Sequence, residues 1–280
     1  MTTVRRNGGT AVWGSEAPPT IASSLSRTAW TILRDDTGRP GYANMALDHA
    51  LLDLAEREER AMLRLYRWAP HCLSFGRHEP AARRYDRRRI ETLGLDCVRR
   101  PTGGRAVWHG RELTYALAAT QAPFGSLRDC YYAIHRMLAA ALRSLGAPAE
   151  LAPPPPRTPR PDAGPCFATT AGGEVLIGGR KVVGSAQIRQ GTAFLQHGSV
   201  LLEDGQQVLR EFGAPSGAAA AAPLSEILGR RVSFEEAASA VIDAARAWGG
   251  EWRDGNHAEL APMASAHEAR YRSREWTWGA

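Results

Sequence analysis

The sequence almost lacks lysine: Lys181 is the only one among 35 Lys+Arg residues. Arginine carries the rest of the positive charge, and the net +6 is spread along the chain rather than gathered in a basic tract. Without aromatic interleaving or a recognition motif, that charge gives no ground for nucleic-acid binding, although it suits an acidic protein partner. Long apolar runs are missing too, and the N-terminal segment has no apolar core of a secretory signal, so no membrane association is expected. Cysteine is scarce. Cys72, Cys97, Cys130 and Cys166 are widely spaced with no CxxC pair, which argues against a metal site and against a disulfide framework. Reduced thiols in a cytoplasm fit that usage. A lysine kept at one position, in a chain that uses arginine elsewhere, is either a remnant of drift or a place where a compact ammonium serves and a rigid planar fork does not, and its setting in GGRKVVGSAQ favours the second.

Residues 1–28 are rich in Gly, Ser, Thr and Pro without periodicity and are expected to be a disordered extension. One domain follows over residues 29–280. Ala29 to Arg34 is an expected strand, ended by an Asp35-Asp36-Thr37-Gly38 turn. Tyr42 to Arg60 has apolar residues at helical spacing. Strands are expected at Met62–Trp68, Cys72–Phe75 and Leu95–Arg99, with a basic helix over Arg83–Gly94. A helix over Ser126–Gly146 leads to a proline-rich loop, residues 151–165, which can enter neither helix nor sheet interior. Three antiparallel strands, Glu174–Ile177, Arg180–Arg189 and Thr192–Leu202, are joined by glycine turns. An alanine-rich connector, residues 213–223, precedes a short helix near Ser225–Leu228 and a longer one over Ser233–Trp248. In the latter, Ser233 and Glu236 have the form of a capping box. A last helix near Met263–Tyr271 precedes EWTW. Strands interspersed with helices at hairpin-length gaps predict an α+β fold whose mixed sheet is mainly antiparallel, with helices packed outside.

Two stretches carry the chemistry. RRPTGGRAVWHGRELTYAL, Arg99 to Leu117, joins adjacent glycines (Gly103, Gly104) to flanking arginines (Arg99, Arg100, Arg105) and a histidine, His109. Glycines free the backbone for positive φ or close approach of a ligand, and guanidinium forks suit carboxylate or phosphate. GGRKVVGSAQIRQGTAFLQHGSVLL, Gly178 to Leu202, holds Lys181, Ser185, Gln187 and His197. Cys166 follows the proline loop in Gly164-Pro165-Cys166-Phe167, and loops carry reacting groups on a rigid frame.

Together these stretches resemble the lipoate- and octanoate-handling proteins related to biotin protein ligase. The first is similar to that family's RRxTGG-x-AVxH loop and the second to its GxKVxGSAQ…LQHGS segment. NMALDHALL (Asn44 to Leu52), LRLYRWAPHCLSFGRHEP (Leu63 to Pro80) and EWTW (Glu275 to Trp278) extend the likeness over roughly residues 29–280. The resemblance implies the biotin/lipoate protein ligase catalytic fold.

Within that family, three departures favour ATP-independent octanoyl transfer over ATP-dependent ligation. Arg105 stands where ligases carry a third glycine, filling room that a nucleotide phosphate would use. Cys166 falls in the CF segment where one transferase subgroup has its nucleophile. The chain also stops soon after EWTW, which leaves no accessory domain. What the resemblance then implies is acyl transfer from octanoyl-acyl carrier protein to Cys166, and from the thioester to a lysine of a lipoyl-domain protein such as the H protein of glycine cleavage. No ATP or metal would be needed, because thiol exchange is nearly isoenergetic and thioester to amide runs downhill.

Lys181 would hold the acyl carbonyl oxygen, or lower the thiol pKa, or both. Arg100, Thr102, Gly103 and Gly104 would line the loop over the carboxyl end. His109 is either a general base or a support for the loop, and the second is preferred; Gly110 replaces the aspartate that commonly follows this histidine. His197 would assist proton transfer or close a turn. Ser185 and Gln187 would donate hydrogen bonds near the carbonyl. The rival readings are an ATP-dependent lipoate–protein ligase, an octanoyl amidotransferase working between lipoyl domains, and a non-catalytic scaffold that binds acyl groups or lipoyl domains.

Overall fold

The computed structural model describes residues 23–153, 172–213 and 221–279. Cys166, most of the proline loop, most of the alanine-rich connector and the first 22 residues lie outside them.

Six strands make the main sheet, in the order β10-β11-β6-β2-β1-β12. They are β1 (Ala29–Arg39), β2 (Ala61–Trp68), β6 (Glu112–Thr120), β10 (Val183–Gln190), β11 (Ala193–Leu201) and β12 (Glu251–Asp254). The run from β10 through β2 is antiparallel, while β1 pairs in parallel with both β2 and β12. Two three-stranded sheets flank it. One holds β3 (Cys72–Phe75), β4 (Asp96–Arg99) and β5 (Val107–His109); the other holds β7 (Glu150–Leu151), β8 (Val175–Ile177) and β9 (Arg180–Lys181).

Side chains alternate across a strand, so each face of the main sheet builds its own core. On one face, Leu63, Leu113, Tyr115, Leu117 and Phe194 meet helices α2 (Leu127–Ser144) and α3 (Phe234–Arg246). On the other, Met62, Tyr66, Ala116 and Leu195 meet α1 (Gly41–Glu58) and α4 (Ala261–Arg272). Fully burying one such aliphatic side chain contributes about 1.5–3 kcal/mol. Helix α2 starts where Ser126 and Asp129 form a reciprocal capping box. At α3, Ser233 accepts from the Glu236 N–H. No helix among the described residues is long and apolar enough to cross a membrane.

Several elements differ from the sequence expectation. Strand β1 runs through the Asp35-Asp36-Thr37-Gly38 stretch to Arg39, absorbing the extra residues as an irregularity in its pairing with β2; Gly38 sits at φ 76°. The basic helix is two short turns, Ala81–Arg84 and Arg87–Thr92, because Asp86 caps the second by accepting from the Arg89 N–H. The expected strand Arg180–Arg189 also splits: β8 and β9 belong to the small β7-β8-β9 sheet, and the chain crosses to the main sheet at Val182. Strand β12 was not expected; Trp252 anchors it by stacking on Trp30 at 5.0 Å. Leu25, inside the supposed extension, is buried in the α2-side core.

Candidate active site

The glycine loop closes over the face of the main sheet that α1 covers. Arg99 places it. That guanidinium donates to the carbonyls of Gly76, Arg77, Glu79 and Trp276, and Trp276 Nε1 donates back to the Arg99 carbonyl at 3.0 Å. Arg99 is thus a strut between the loop and the C-terminal segment rather than an anion-binding fork. Of the two glycines, Gly104 needs its freedom, with φ 90°. Its carbonyl oxygen lies 1.8 Å from where a Cβ on Gly76 would sit, so Gly76 is required for the loop to pack.

Beneath the loop is a narrow pocket with about 350 Å³ of empty space including its mouth. Met45, Trp68 and Val107 supply apolar wall, and Arg100, His109 and His197 supply polar wall. Val182 and Val183 belong instead to the α2-side core.

Each of the two histidines is held at both nitrogens. Arg100 donates to the Ser74 hydroxyl oxygen at 2.5 Å; with the proton of the His109 ring on Nδ1, toward Glu112, the Ser74 hydroxyl donates to Nε2, also at 2.5 Å. His109 Nδ1 donates to Glu112, which further accepts from Thr114 and Ser199, each at 2.9 Å. Burial holds the His109 pKa below the ordinary imidazole value, and Trp68 stacks on the ring at 3.9 Å. Glu112 therefore supplies the carboxylate that Gly110 seemed to remove. His197 Nδ1 donates to Asp48 at 2.8 Å and its Nε2 bonds Thr102 Oγ1 at 2.7 Å. Asp48, fully buried on α1, also accepts from Tyr66 and Arg64, both at 2.8 Å. Arg64 continues to Asn44 Oδ1 at 2.6 Å. Thr102 and His197 thus tie the glycine loop to α1 and the sheet.

Ser185 and Gln187 face the other way. Register pairs Ser185 with Gly198 and Gln187 with Gln196, while Gly184 and Ala186 pair with Ser199 and His197. Alternation then sends the Ser185 and Gln187 side chains to the α2 side, although Ser185 borders the pocket at the strand edge. A directed chain of hydrogen bonds follows. His135 Nδ1 donates to the Gly173 carbonyl at 2.7 Å, and burial pushes this histidine down to about 4, so the ring is neutral near pH 7. Its Nε2 must then accept from Ser185 at 2.8 Å. Tyr115 donates to Ser185 at 2.6 Å and accepts from Gln196 Nε2 at 2.9 Å. Gln187 donates to Gln196 Oε1 at 2.8 Å. The Ser185 proton is committed to His135, not to a carbonyl in the pocket.

Lys181 is buried in β9, on the small sheet, and is not among the pocket-lining residues. Its ammonium donates to Glu174 at 2.6 Å, and both side chains are almost wholly out of solvent. The positive charge of Lys181 is also felt at His135. Sequence reasoning missed Glu174, Glu112, Asp48, Arg64 and His135. Asp48, Arg64 and Glu112 lie inside the family-like stretches without standing out there, while His135 and Glu174 lie outside those stretches.

The overall fold is similar to that of solved lipoate–protein ligases. The crystal structure of lipoate-protein ligase A bound with ATP aligns with TM-score 0.75 at 19% identity, covering 90% of this chain and 99% of that one. A bipartite lipoate protein ligase from Thermoplasma acidophilum aligns with TM-score 0.71 at 19% identity, over 90% and 97% of the two chains. The profile of the lipoyl protein ligase A/B catalytic domain matches residues 40–246, and the chain belongs to that family. Among its curated relatives, octanoyltransferase LipM of Exiguobacterium sibiricum is 36% identical over 89% of this chain and 98% of its own length. Octanoyltransferase LipM of Kyrpidia tusciae is 34% identical over 89% and 98%, and that of Moorella thermoacetica 38% identical over 72% and 80%.

Proposed function

We propose that this protein is an octanoyltransferase of lipoate biosynthesis, passing an octanoyl group to the lysine of a lipoyl-domain protein. The observation that carries the reading is the near full-length likeness to octanoyltransferase LipM, 36% identical over 98% of that relative. We assign octanoyl-acyl carrier protein as donor, the glycine cleavage H protein as acceptor, and no ATP or metal.

Cys166 is the nucleophile in this proposal. Of the four cysteines, burial pushes Cys97 and Cys130 up to about 12 and Cys72 well above the ordinary thiol value, so none of the three is a ready thiolate. The thiolate of Cys166 attacks the donor thioester; the carrier thiol leaves with a proton, and an octanoyl-enzyme thioester remains. The acceptor's ε-amine then displaces the Cys166 sulfur and forms an amide, so each step exchanges one acyl bond for another.

Lys181 serves as the donor that stabilises charge on the acyl oxygen. Glu174 aims it. His109 and His197, bonded at both nitrogens, shape and hold the acyl slot. Arg100, Thr102, Gly103 and Gly104 form the lid frame over it.

Intact mass after mixing with octanoyl-acyl carrier protein, without ATP, tests the proposal. An octanoyl increment on the wild type, absent from Cys166→Ala and discharged by H protein, is the expected result. Acceptor acylation that appears only with ATP and free octanoate would replace it with a ligase. An increment taken only from an octanoylated lipoyl-domain protein would make the enzyme an amidotransferase.

A further inference from the structure

A second cluster lies away from the pocket, where α4 crosses α1. His49 and Asp53 share a face of α1 at i,i+4 spacing, and α4 brings His267 to them. One ligand-capable atom from each of the three lies within 4.8 Å of the others. His267 Nε2 and Asp53 Oδ2 are 2.8 Å apart, close to the separation of neighbouring donors around one ion. Each helix-α1 member also has an outer partner: His49 Nδ1 bonds the Tyr271 hydroxyl at 2.9 Å, and Asp53 Oδ1 accepts from Gln190 at 2.9 Å. Outer bonds of this kind fix the rings and carboxylates that ligate metals. Asp53 is buried while both histidines are half-buried, so an ion and its waters can reach the site.

We propose that His49, Asp53 and His267 form a binding site for a divalent transition metal of the zinc, nickel or cobalt class. Two imidazoles with one carboxylate are borderline ligands that select such ions over calcium or magnesium, and water completes the shell. The two rings lie parallel with centroids 3.8 Å apart, so one of them turns out of the stack to point at the shared ion. His267 Nε2 becomes a ligand when its proton moves to Nδ1, or, from the imidazolium, leaves to solvent. Arg77 and Arg270 lie near His49 and oppose the cation, which favours moderate over very tight affinity. The bound ion would clamp α4 to α1, whose Asp48 neighbours His49 and holds His197.

Titration of chelator-treated protein with cobalt chloride, read by visible absorption and followed by zinc chloride competition, tests the site. Expected are saturable one-to-one binding, no thiolate-to-cobalt charge-transfer band, displacement by zinc and a melting temperature that rises with zinc. Both His49→Gln and His267→Gln, folded by circular dichroism, should lose the signal. Absence of saturable binding, a thiolate band, or binding that survives in both folded variants would overturn the proposal.

Discussion

The pocket under the glycine loop and the corner around Lys181 are built from similar residues to opposite effect. In the pocket, His109 and His197 are fixed at both nitrogens by Ser74, Glu112, Asp48 and Thr102. Those carboxylates each accept several further bonds. Such a network is rigid and its protons are already placed, so it can define a shape without taking part in proton transfer. At the corner, an ammonium and a carboxylate meet in an ion pair at 2.6 Å, and the Lys181 charge is felt at the neutral His135, which bonds the Gly173 carbonyl. Family likeness groups His109, His197 and Lys181; their bonds separate them into a fixed hydrogen-bonded frame and a buried ion pair.

Breaking the frame should cost the most stability. Asp48→Ala takes the 2.8 Å carboxylate from the fully buried Arg64, leaving it Asp35 at 3.8 Å, and removes acceptors from Tyr66 and His197. A loss of about 3–5 kcal/mol is expected in urea unfolding, with a smaller loss for Asp48→Asn. Breaking the corner should instead cost rate. Lys181→Ala is expected to slow octanoyl transfer by about 10²–10³-fold, the usual effect of removing one oxyanion donor, and Glu174→Gln by less, with folding retained in both.

A third test sharpens the contrast through pH. Burial holds His135 at about 4 in the folded protein against the ordinary imidazole value of 6.5. A group with a depressed folded pKa binds more protons when unfolded across that window, so stability falls as pH drops from 6.5 toward 4 and is fully present above it. The loss from this one residue should be roughly 3 kcal/mol. Unfolding free energies measured across that range in wild type and His135→Gln would show it as the difference in slope. The smallest effect is expected from Ser199→Ala, which takes one of three donors from buried Glu112 and should cost about 1.5–3 kcal/mol.

Much of the fold was legible because local signals and burial agree. The apolar spacing of Met45, Leu47, Leu51 and Leu54 forecast α1, and Ser233 with Glu236 marked the start of α3. Where a local signal misled, a distant partner or a competing cap had intervened. The Asp35-Asp36-Thr37-Gly38 turn was absorbed because β2 continues to pair past it, and Asp86 broke a basic helix by capping within it. Strand β12 has one apolar side chain in four residues, and its pairing with β1 spans most of the chain. The site divides in the same way. Motif order pointed to Arg100, Thr102, His109, Lys181 and His197. It could not show that Ser185 and Gln187 alternate onto the far face, since the register with β11 decides that. The carboxylates were missed for a related reason: Asp48 and Glu174 meet their partners through sheet and helix packing, not through spacing.

The single-turnover rate of octanoyl transfer, measured for His109→Gln beside Lys181→Ala and normalised to folded protein, tests most directly whether the pocket is frame and the corner is chemistry. His109→Gln is expected to stay within about tenfold of wild type with an unchanged pH profile, while Lys181→Ala falls by about 10²–10³-fold. A loss of about 10²–10⁴-fold in His109→Gln, the range expected for removal of a general base, with Lys181→Ala little affected, would contradict it.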